Sequence, residues 1–445
     1  MRGNPTSLAA LTCAAFLLSA CGSMAPTYER PVAPVPHFWP MGDAYAPATS
    51  NLTQKVGEML LLPSPNQFLL DARLQRVVAL ALRNSRDVRG AVVQVEAARA
   101  QYRVQRAAQW PGIDAGLNAS RAKSRMPASA SDSRGAAISE SAGVTVGVSS
   151  FELDLFGRVR SLSDAALESY LATEEARRTA QIALVAETAG AWMTLASDRS
   201  LLGLARQTEE SARRSVEITR RRLEAGVASR LDVRQAETVW HQARTDILRQ
   251  TTAIAQDLNA LELLVGAGVD ATLLPEELPQ MTGNSLVLAE VAAGLSSEVL
   301  LQRPDVLQAE HELKSANANI GAARAAFFPR LSLTASAGIA STSLSRLFND
   351  SGSVWSFAPA LTLPIFDGGT NRANLAYSRA QQQIALNNYE RSVQTAFREV
   401  ADALARQGTL AGETESQTSL VEASRDSFKL AQARYEGSPR FQCNK

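Results

Sequence analysis

A long stretch without proline constrains this chain more than any other feature. It runs from Gly157 to Gly226, is rich in Ala, Leu, Glu, Arg and Gln, and has a later counterpart from Gly369 to Gly437. These residue types are strong helix formers. Apolar residues recur at helical spacing at Ile182, Val185, Ala189, Trp192 and Leu195. Such a helix is about 100 Å long, whereas helices of compact domains average about 11–12 residues. The sequence therefore predicts two coiled-coil-like rods, 157–225 and 369–436.

The N-terminus has the pattern of a targeting segment. Residues 1–20 hold a short polar start and the apolar run LAALTCAAFLLSA, which is typical of a signal peptide and too short to span a bilayer. The run ends in LSAC, which resembles a bacterial lipobox. We therefore expect cleavage before Cys21 and attachment of a diacylglycerol to its thiol, the alternative being an ordinary secretory signal with an incidental cysteine. Gly22 replaces the aspartate that favours inner-membrane retention, which indicates the outer membrane.

Residues 21–70 are predicted to form an extended, lipid-anchored arm. Four prolines follow Pro26 within the segment PTYERPVAPVPHFWP, and proline is incompatible with a helix interior or a central strand. Such a segment acts as a semi-rigid spacer. The arm would lead from the lipid to the body of the protein.

Composition excludes several classes of function. The net charge is +1 over 445 residues, so no overall field attracts nucleic acid. The cysteines Cys13, Cys21 and Cys443 form no CxxC pair and the three histidines are scattered, so we predict no metal site, disulfide framework or cofactor. No nucleophile–base pair or phosphate-binding loop is apparent, and no enzyme is predicted.

The chain contains an internal duplication. Asp87 aligns with Asp305, Arg106 with Arg324, and Pro111 with Pro329 at one constant offset. Each copy has the order helix, proline, two strands and rod, which marks a repeat. The predicted first repeat is 71–284, with a further helix at 231–265, and the second is 285–445, with its first helix at 304–327.

Four segments alternate between apolar and other residues. They are 112–123, 141–155, 329–341 and 353–365, and loops at Met126–Glu140 and Ser341–Ser353 join them in pairs. Period-two alternation predicts half-buried strands, and it also fits outer-membrane strands, in which about 9–11 residues cross the bilayer. Periodicity leaves open two hairpins on a soluble core, but the lipobox favours the membrane. Four strands cannot close a barrel in lipid, so several copies must associate.

Seven phrases of the sequence are distinctive. They are LSAC, MAPTYERPVAPVP, RDVRGAVVQVEAARAQYRVQRAAQWP, FELDLFGRVR, LPIFDGGTNRANL, LLQRPDVLQAE and RRLEAGVASRLDVRQAE. Together they resemble the TolC-like outer-membrane factor family, in its branch of efflux lipoproteins typified by OprM and NodT. The resemblance implies a mainly α fold with transmembrane β: a trimeric α-barrel plus a twelve-stranded outer-membrane β-barrel, with four strands per chain.

The same resemblance implies a function and partners. It implies a homotrimer that serves as the passive exit duct of a tripartite RND-type efflux pump for drugs or other small molecules. The implied partners are a periplasmic adaptor, an inner-membrane pump and outer-membrane lipid. Two alternatives stay open: an exit duct for type I secretion or metal efflux, and a lipid-anchored periplasmic coiled-coil scaffold without a pore. Strand pairs argue against the scaffold, which has no need of them.

A short turn joins the two helices that end the first repeat. Its residues are Gly226, Val227, Ala228 and Ser229. Gly226 suits the left-handed position that ends a helix, and Ser229 or Asp232 can cap the next one. The resemblance implies that this turn is the periplasmic tip where the adaptor binds. It also implies that Asp232 closes the tip by bonding a tyrosine of the second hairpin, which is Tyr435 here.

After Glu436 the sequence departs from the family. It continues as GSPRFQCNK, where the first repeat continues into the helix 231–265. The repeat offset predicts a further helix of roughly thirty to forty residues. We therefore expect the family's last helix to be missing and the chain as written not to form a working duct.

Overall fold

The structure is a computed structural model that describes residues 23–45, 68–125, 136–276, 297–349 and 351–437. The predicted signal peptide and Cys21 lie outside these residues. Along the described chain the main elements are α1 (Ala72–Asn84), α2 (Arg86–Ala107), β1 (Asp114–Arg125), β2 (Ala136–Leu153), α3 (Arg158–Glu224), α4 (Arg230–Val265), α5 (Pro304–Ala325), β3 (Arg330–Ser341), β4 (Gly352–Thr362) and α6 (Thr370–Gly437). Short 3₁₀ turns lie at Ala271–Leu273, Ser297–Gln302 and Leu344–Arg346.

Both predicted rods are single helices. The helix α3 has 67 residues and α6 has 68, and each begins and ends within one residue of its predicted bounds. The duplication is visible in matched lengths, since α2 and α5 have 22 residues each and β1 and β3 have 12 each. The rods contain no proline and have glycines at their ends, and these two features explain why their bounds could be predicted so closely.

The chain folds into two compact units, each built from three segments. The sheet unit comprises the described parts of 1–32, 92–176 and 307–389, and the helical unit comprises those of 33–91, 177–306 and 390–445. Long helices contribute residues to both. The predicted division at 71–284 and 285–445 follows the duplication rather than compactness, and it stays a prediction.

The helical unit has an apolar core between α1, α3 and α4. Asp71 caps α1 by accepting hydrogen bonds from the backbone N–H groups of Arg73 and Leu74, at 2.7 and 3.2 Å. The indole Nε1 of Trp192 donates to the Leu273 carbonyl at 3.1 Å. The buried core residues are Leu69, Leu74, Val77, Val78, Ala81, Val88, Leu184, Ala189, Trp192, Leu195, Leu261, Val265 and Leu274.

Ile182 does not belong to the buried face on which its spacing placed it. Its side chain is 52% exposed, whereas Leu184, Trp192 and Leu195 are buried. At about 100° per residue, Ile182 lies about 80° around α3 from Trp192, at the edge of the buried stripe. Spacing identified the correct side of the helix but not the edge of the area that α1 and α4 cover.

The sheet unit contains one antiparallel sheet with the strand order β1-β2-β3-β4. Its second strand begins at Ala136, so residues 136–140, predicted as loop, are strand instead. These residues lack apolar alternation but pair with Arg121–Arg125 of β1, and that pairing places them in the sheet. The other strand ends differ from prediction by at most three residues.

Candidate functional site

One face of the sheet is continuously apolar. Leu117 lies opposite Val144, which lies opposite Ile339, and Ala335 lies opposite Phe357. Directly opposed residues of antiparallel strands share a face, so these side chains form one surface. Its members are Ala115, Leu117, Val144, Val146, Val148, Phe151, Leu153, Leu331, Leu333, Ala335, Ala337, Ile339, Trp355, Phe357, Pro359 and Leu361. The opposite face is mainly Gly, Ser, Thr, Asn and Ala.

A β-bulge in β2 keeps this apolar face continuous. The register shifts between Val148 and Phe151, and Ser150 takes a positive φ of 52° there. The Ser150 N–H donates to the Thr334 hydroxyl at 3.2 Å, which satisfies the displaced backbone group. Because the bulge adds one residue, Phe151 and Leu153 lie on the same face as Val148 despite their changed parity.

The apolar surface is long enough to cross a bilayer core and ends in ion pairs. From Leu331 to Ile339 the strand β3 covers about 26 Å along its own axis at about 3.3 Å per residue, and a tilted outer-membrane strand crosses the bilayer with about 9–11 residues. An Arg121–Glu140 pair at 3.0 Å lies beyond the surface at one end. A Glu152–Arg158 pair at 2.6 Å lies at the other, where β2 leads into α3.

The edges of the sheet are open in the single chain. Within the described residues, β1 and β4 each have a strand neighbour on one side only. Unpaired N–H and C=O groups cost several kcal/mol each in hydrocarbon, so such edges must be paired before the sheet can lie in lipid. The geometry therefore demands further strands from other chains.

The turn between α3 and α4 is built from two helix caps. Gly226 has a φ of +73° and ends α3, and the Val227 N–H returns to the Arg222 carbonyl at 2.9 Å. Ser229 is the N-cap of α4 and forms a capping box with Asp232. The Asp232 carboxylate accepts from the Ser229 N–H at 2.7 Å and from its hydroxyl at 2.8 Å. The hydrogen bond from the Ser229 backbone N–H holds the pKa of Asp232 below its ordinary value, and the bond from the Ser229 hydroxyl adds a smaller effect in the same direction.

The predicted partners of the tip are placed only in part. Val227 and Ser229 are exposed, which leaves the turn free in the single chain. Tyr435 lies within α6, but its side chain lies outside what the structure describes. The Asp232–Tyr435 bond therefore stays a prediction, and the capping role of Asp232 is the one that the structure contains.

A pair of substitutions separates capping from gating at this turn. Ser229→Ala removes the N-cap, at a cost of about 0.5–2 kcal/mol, and leaves the carboxylate. Asp232→Ala removes both the capping-box partner and the predicted bond to Tyr435. In a full-length homologue in a planar bilayer, we expect Asp232→Ala to raise conductance several-fold and Ser229→Ala to leave it unchanged. Equal effects of the two changes would reduce Asp232 to a helix cap.

Sequence reasoning missed an ordered contact between the N-terminal arm and α5. The irregular arm segment 23–32 contacts five α5 residues of the sheet unit, which we call the arm stripe. The arm stripe consists of Glu310, Lys314, Asn317, Gly321 and Arg324. These positions are three or four residues apart, so they occupy one face of the helix. That spacing was visible in the sequence, but nothing pointed to the arm as its partner.

Glu310 is the centre of this contact. Its side chain is only 3% exposed. It accepts from Arg30 at 2.6 and 3.1 Å, from the Tyr28 hydroxyl at 3.2 Å and from Lys314 at 3.0 Å. Burial raises the pKa of Glu310, but the hydrogen bonds and charges of Arg30 and Lys314 outweigh burial and hold it below the ordinary value. The ionised carboxylate therefore holds the arm in place.

Replacing Glu310 should release the arm. Hydrogen bonds to a charged group contribute about 1.5–3 kcal/mol, so Glu310→Gln should speed chymotrypsin cleavage after Tyr28 at least tenfold at pH 7.5. Glu312→Gln, on the exposed face of the same helix, is the matched control and should behave as wild type. Cleavage at the wild-type rate in Glu310→Gln would show that the arm is held by its other contacts.

The arm contact should also be lost in acid. Because the folded-state pKa of Glu310 is lowered, its contribution is complete above the unfolded value of about 4.3 and disappears as the pH falls through the folded value. Hydrogen exchange of the peptide containing residues 23–32 should stay protected from pH 7 to about pH 5. Protection should fall below about pH 4, and persistence of full protection at pH 3 would contradict the assignment.

Other kinds of site find little support in the described part of the chain. No group of three or more His, Cys, Asp or Glu residues is placed there to hold a metal ion. None of the described helices combines the length and the apolar character needed to cross a membrane. His311 Nδ1 lies 2.6 Å from the Glu168 carboxylate, in a local pair between α5 and α3.

Comparison with known proteins decides the family. A model of the family described as outer membrane efflux protein matches residues 77–267 and 295–437. The chain belongs to the outer membrane efflux protein family. Two relatives from Pseudomonas putida, the antibiotic efflux pump outer membrane protein ArpC and the toluene efflux pump outer membrane protein TtgC, are each 45% identical over 430 residues, covering 96% of this chain and 86% of the relative.

A solved structure has the same fold. The crystal structure of a membrane protein from Pseudomonas aeruginosa superposes with a TM-score of 0.82 at 42% identity, covering 95% of this chain and 91% of that one. These comparisons confirm the predicted fold class, the outer-membrane location and the role in efflux. Members of this efflux family are channel and transport proteins.

Proposed function

We propose that this outer-membrane efflux protein is the passive exit duct of a tripartite RND-type pump. The observation that carries the proposal is the open four-stranded sheet, with one apolar face long enough to cross a bilayer and two edges that need strands from other chains. A coiled-coil scaffold without a pore has no use for such a sheet. No catalytic step is needed, because the duct only has to enclose a path through the outer membrane.

The open edges support a homotrimer. Outer-membrane barrels need at least about eight strands, and bacterial single-chain barrels have an even number. Three copies of this sheet supply twelve strands and pair every edge, as the resemblance to TolC-like proteins implies. The two rods of each copy would then line a periplasmic α-barrel. Small organic compounds are the proposed cargo, in line with relatives named for antibiotic and toluene efflux.

The proposed partners are a periplasmic adaptor and an inner-membrane RND pump. The exposed turn 226–229 supports an adaptor contact, because it presents a small, capped loop.

The proposed function also includes lipid attachment at Cys21. Mass spectrometry of the N-terminal peptide tests the attachment, and an unmodified Cys21 or cleavage at another site would contradict it.

Electrical recording tests the duct itself. Full-length protein purified from outer membranes and added to a planar bilayer should give discrete conductance steps of uniform size. Crosslinking should show that the conducting form is a trimer. If the protein inserts into the membrane but gives no conductance at any voltage, even with Asp232→Ala, the result would favour the alternative of a coiled-coil scaffold without a pore.

A further inference from the structure

The described arm begins two residues after Cys21, next to an apolar groove at the end of α5. This groove is lined by Ser23, Met24, Arg324, Phe327, Phe328 and Leu375. We propose that it receives the acyl chains of the diacylglycerol carried by Cys21, and that the arm stripe fixes the arm so that the lipid starts there. The inference rests on the lipid attachment proposed above and adds a binding site for it.

The start of the arm is held at three points. The Asn317 side chain donates to the Pro26 carbonyl at 2.7 Å, and Arg324 donates to the Met24 carbonyl at 3.1 Å. The Ser23 hydroxyl lies 3.2 Å from that of Ser161 on α3. These bonds engage consecutive parts of the arm, so its direction at Ser23 is fixed rather than free.

Gly321 brings the arm against the helix. A Cβ added at Gly321 would lie 2.6 Å from the Ala25 nitrogen and 2.7 Å from the Ser161 hydroxyl. No side chain fits between α5 and the arm at this position. The arm can therefore lie this close to α5 only because residue 321 has no side chain.

The groove offers an apolar wall to a lipid. Phe328 stacks on Phe156 with ring centroids 4.7 Å apart, so this wall is firm. Phe327 and Phe328 are both exposed in the single chain. The open groove has a volume of about 600 Å³. Exposed aromatic surface of this kind gains from being covered by hydrocarbon.

The short distance along the chain between Cys21 and the groove indicates that the acyl chains on Cys21 are what binds in the groove. Two residues span at most about 7 Å, so the Cys21 sulfur cannot lie far from Ser23, which itself lines the groove. Acyl chains linked to that sulfur therefore start within reach of Phe327 and Leu375. A phospholipid of the bilayer could cover the same wall, and the experiment distinguishes the two sources.

Photo-crosslinking in the full-length protein tests the site. A benzophenone amino acid replaces Phe327, or Leu375 in a second variant, in cells whose lipids carry an alkyne fatty acid. After irradiation and trypsin digestion, we expect peptide 325–330, or peptide 373–379 in the second variant, to be joined to the acylated peptide 21–55. The same probe at Phe366, which is exposed outside the groove, should give at least tenfold less of this product.

Two glycine substitutions test the role of the arm stripe. Gly321→Ala should displace Ala25 and lower the crosslink yield at residue 327 at least fivefold. Gly90→Ala is the matched control, because Gly90 is also helical but has open space around its Cα, and it should leave the yield unchanged. Alanine favours both helices, so neither change should impair folding.

The outcomes separate this inference from the proposed function. Crosslinks from residues 327 and 375 to phospholipid alone, on a protein with acylated Cys21, would overturn the groove assignment and leave the duct intact. An unchanged yield in Gly321→Ala would overturn the role of the arm stripe. An unmodified Cys21 would overturn the lipid attachment itself, and with it this inference.

Discussion

Leu117→Arg should lower the amount of assembled protein in the outer membrane at least tenfold. Leu117 is 64% exposed in the single chain and lies in the apolar surface opposite Val144. An arginine facing lipid costs up to about 2–4 kcal/mol, the full value applying at the bilayer midplane. Three copies in one barrel would each bear this cost. The measurement is the amount of trimer in purified outer membranes, compared on gels with and without heating.

Asn118→Arg is the matched control for this prediction. Asn118 is the next residue of β1 and lies on the opposite face, across from Gly143. An arginine on the lumen side of a barrel can reach water, so we expect trimer levels near wild type. Equal losses in both variants, or no loss in either, would contradict the assignment of the apolar surface to lipid.

Trp192→Ala should destabilise the helical unit by about 3–5 kcal/mol, as large aromatic truncations in cores do. The Trp192 side chain is 3% exposed, donates to the Leu273 carbonyl, and has the Arg73 guanidinium 5.9 Å from its ring centroid. Its loss leaves a cavity and an unpaired carbonyl at the centre of the core. Typical total stabilities are about 5–15 kcal/mol, so this is a large fraction.

Thermal unfolding and limited proteolysis in detergent measure this effect. Leu204→Ala, on the same helix but with the side chain 58% exposed, is the control and should change stability by less than about 0.5 kcal/mol. Proteolysis of the Trp192→Ala protein should begin within residues 177–276. A wild-type unfolding temperature for Trp192→Ala would mean that this cluster does not stabilise the unit.

The local parts of the fold were predictable because their signals are local. The rods α3 and α6 follow from the absence of proline and from helix-favouring composition, and their ends follow from glycines such as Gly226 with its positive φ. Alternation predicted the strands. It failed for residues 136–140, which carry no alternation and become strand only by pairing with β1.

The tertiary parts were not predictable, because their partners lie far apart in the chain. Glu310 is separated from Arg30 by 280 residues, and nothing near either one indicates the pairing. Likewise, Gly321 looks like an ordinary helical glycine until the arm is seen to lie against it. At the tip, the sequence predicted a helix cap at Ser229 or Asp232, and the structure shows Ser229 as the N-cap with Asp232 as its capping-box partner.

Surface labelling tests the central claim that the sheet crosses the outer membrane. In a Cys443→Ser background, Ser345→Cys lies in the loop between β3 and β4, and Val227→Cys lies in the α3–α4 turn. A bulky, impermeant maleimide should label Ser345→Cys on intact cells and Val227→Cys only after the outer membrane is permeabilised. Labelling of Ser345→Cys only after permeabilisation would place the sheet in the periplasm and contradict the duct.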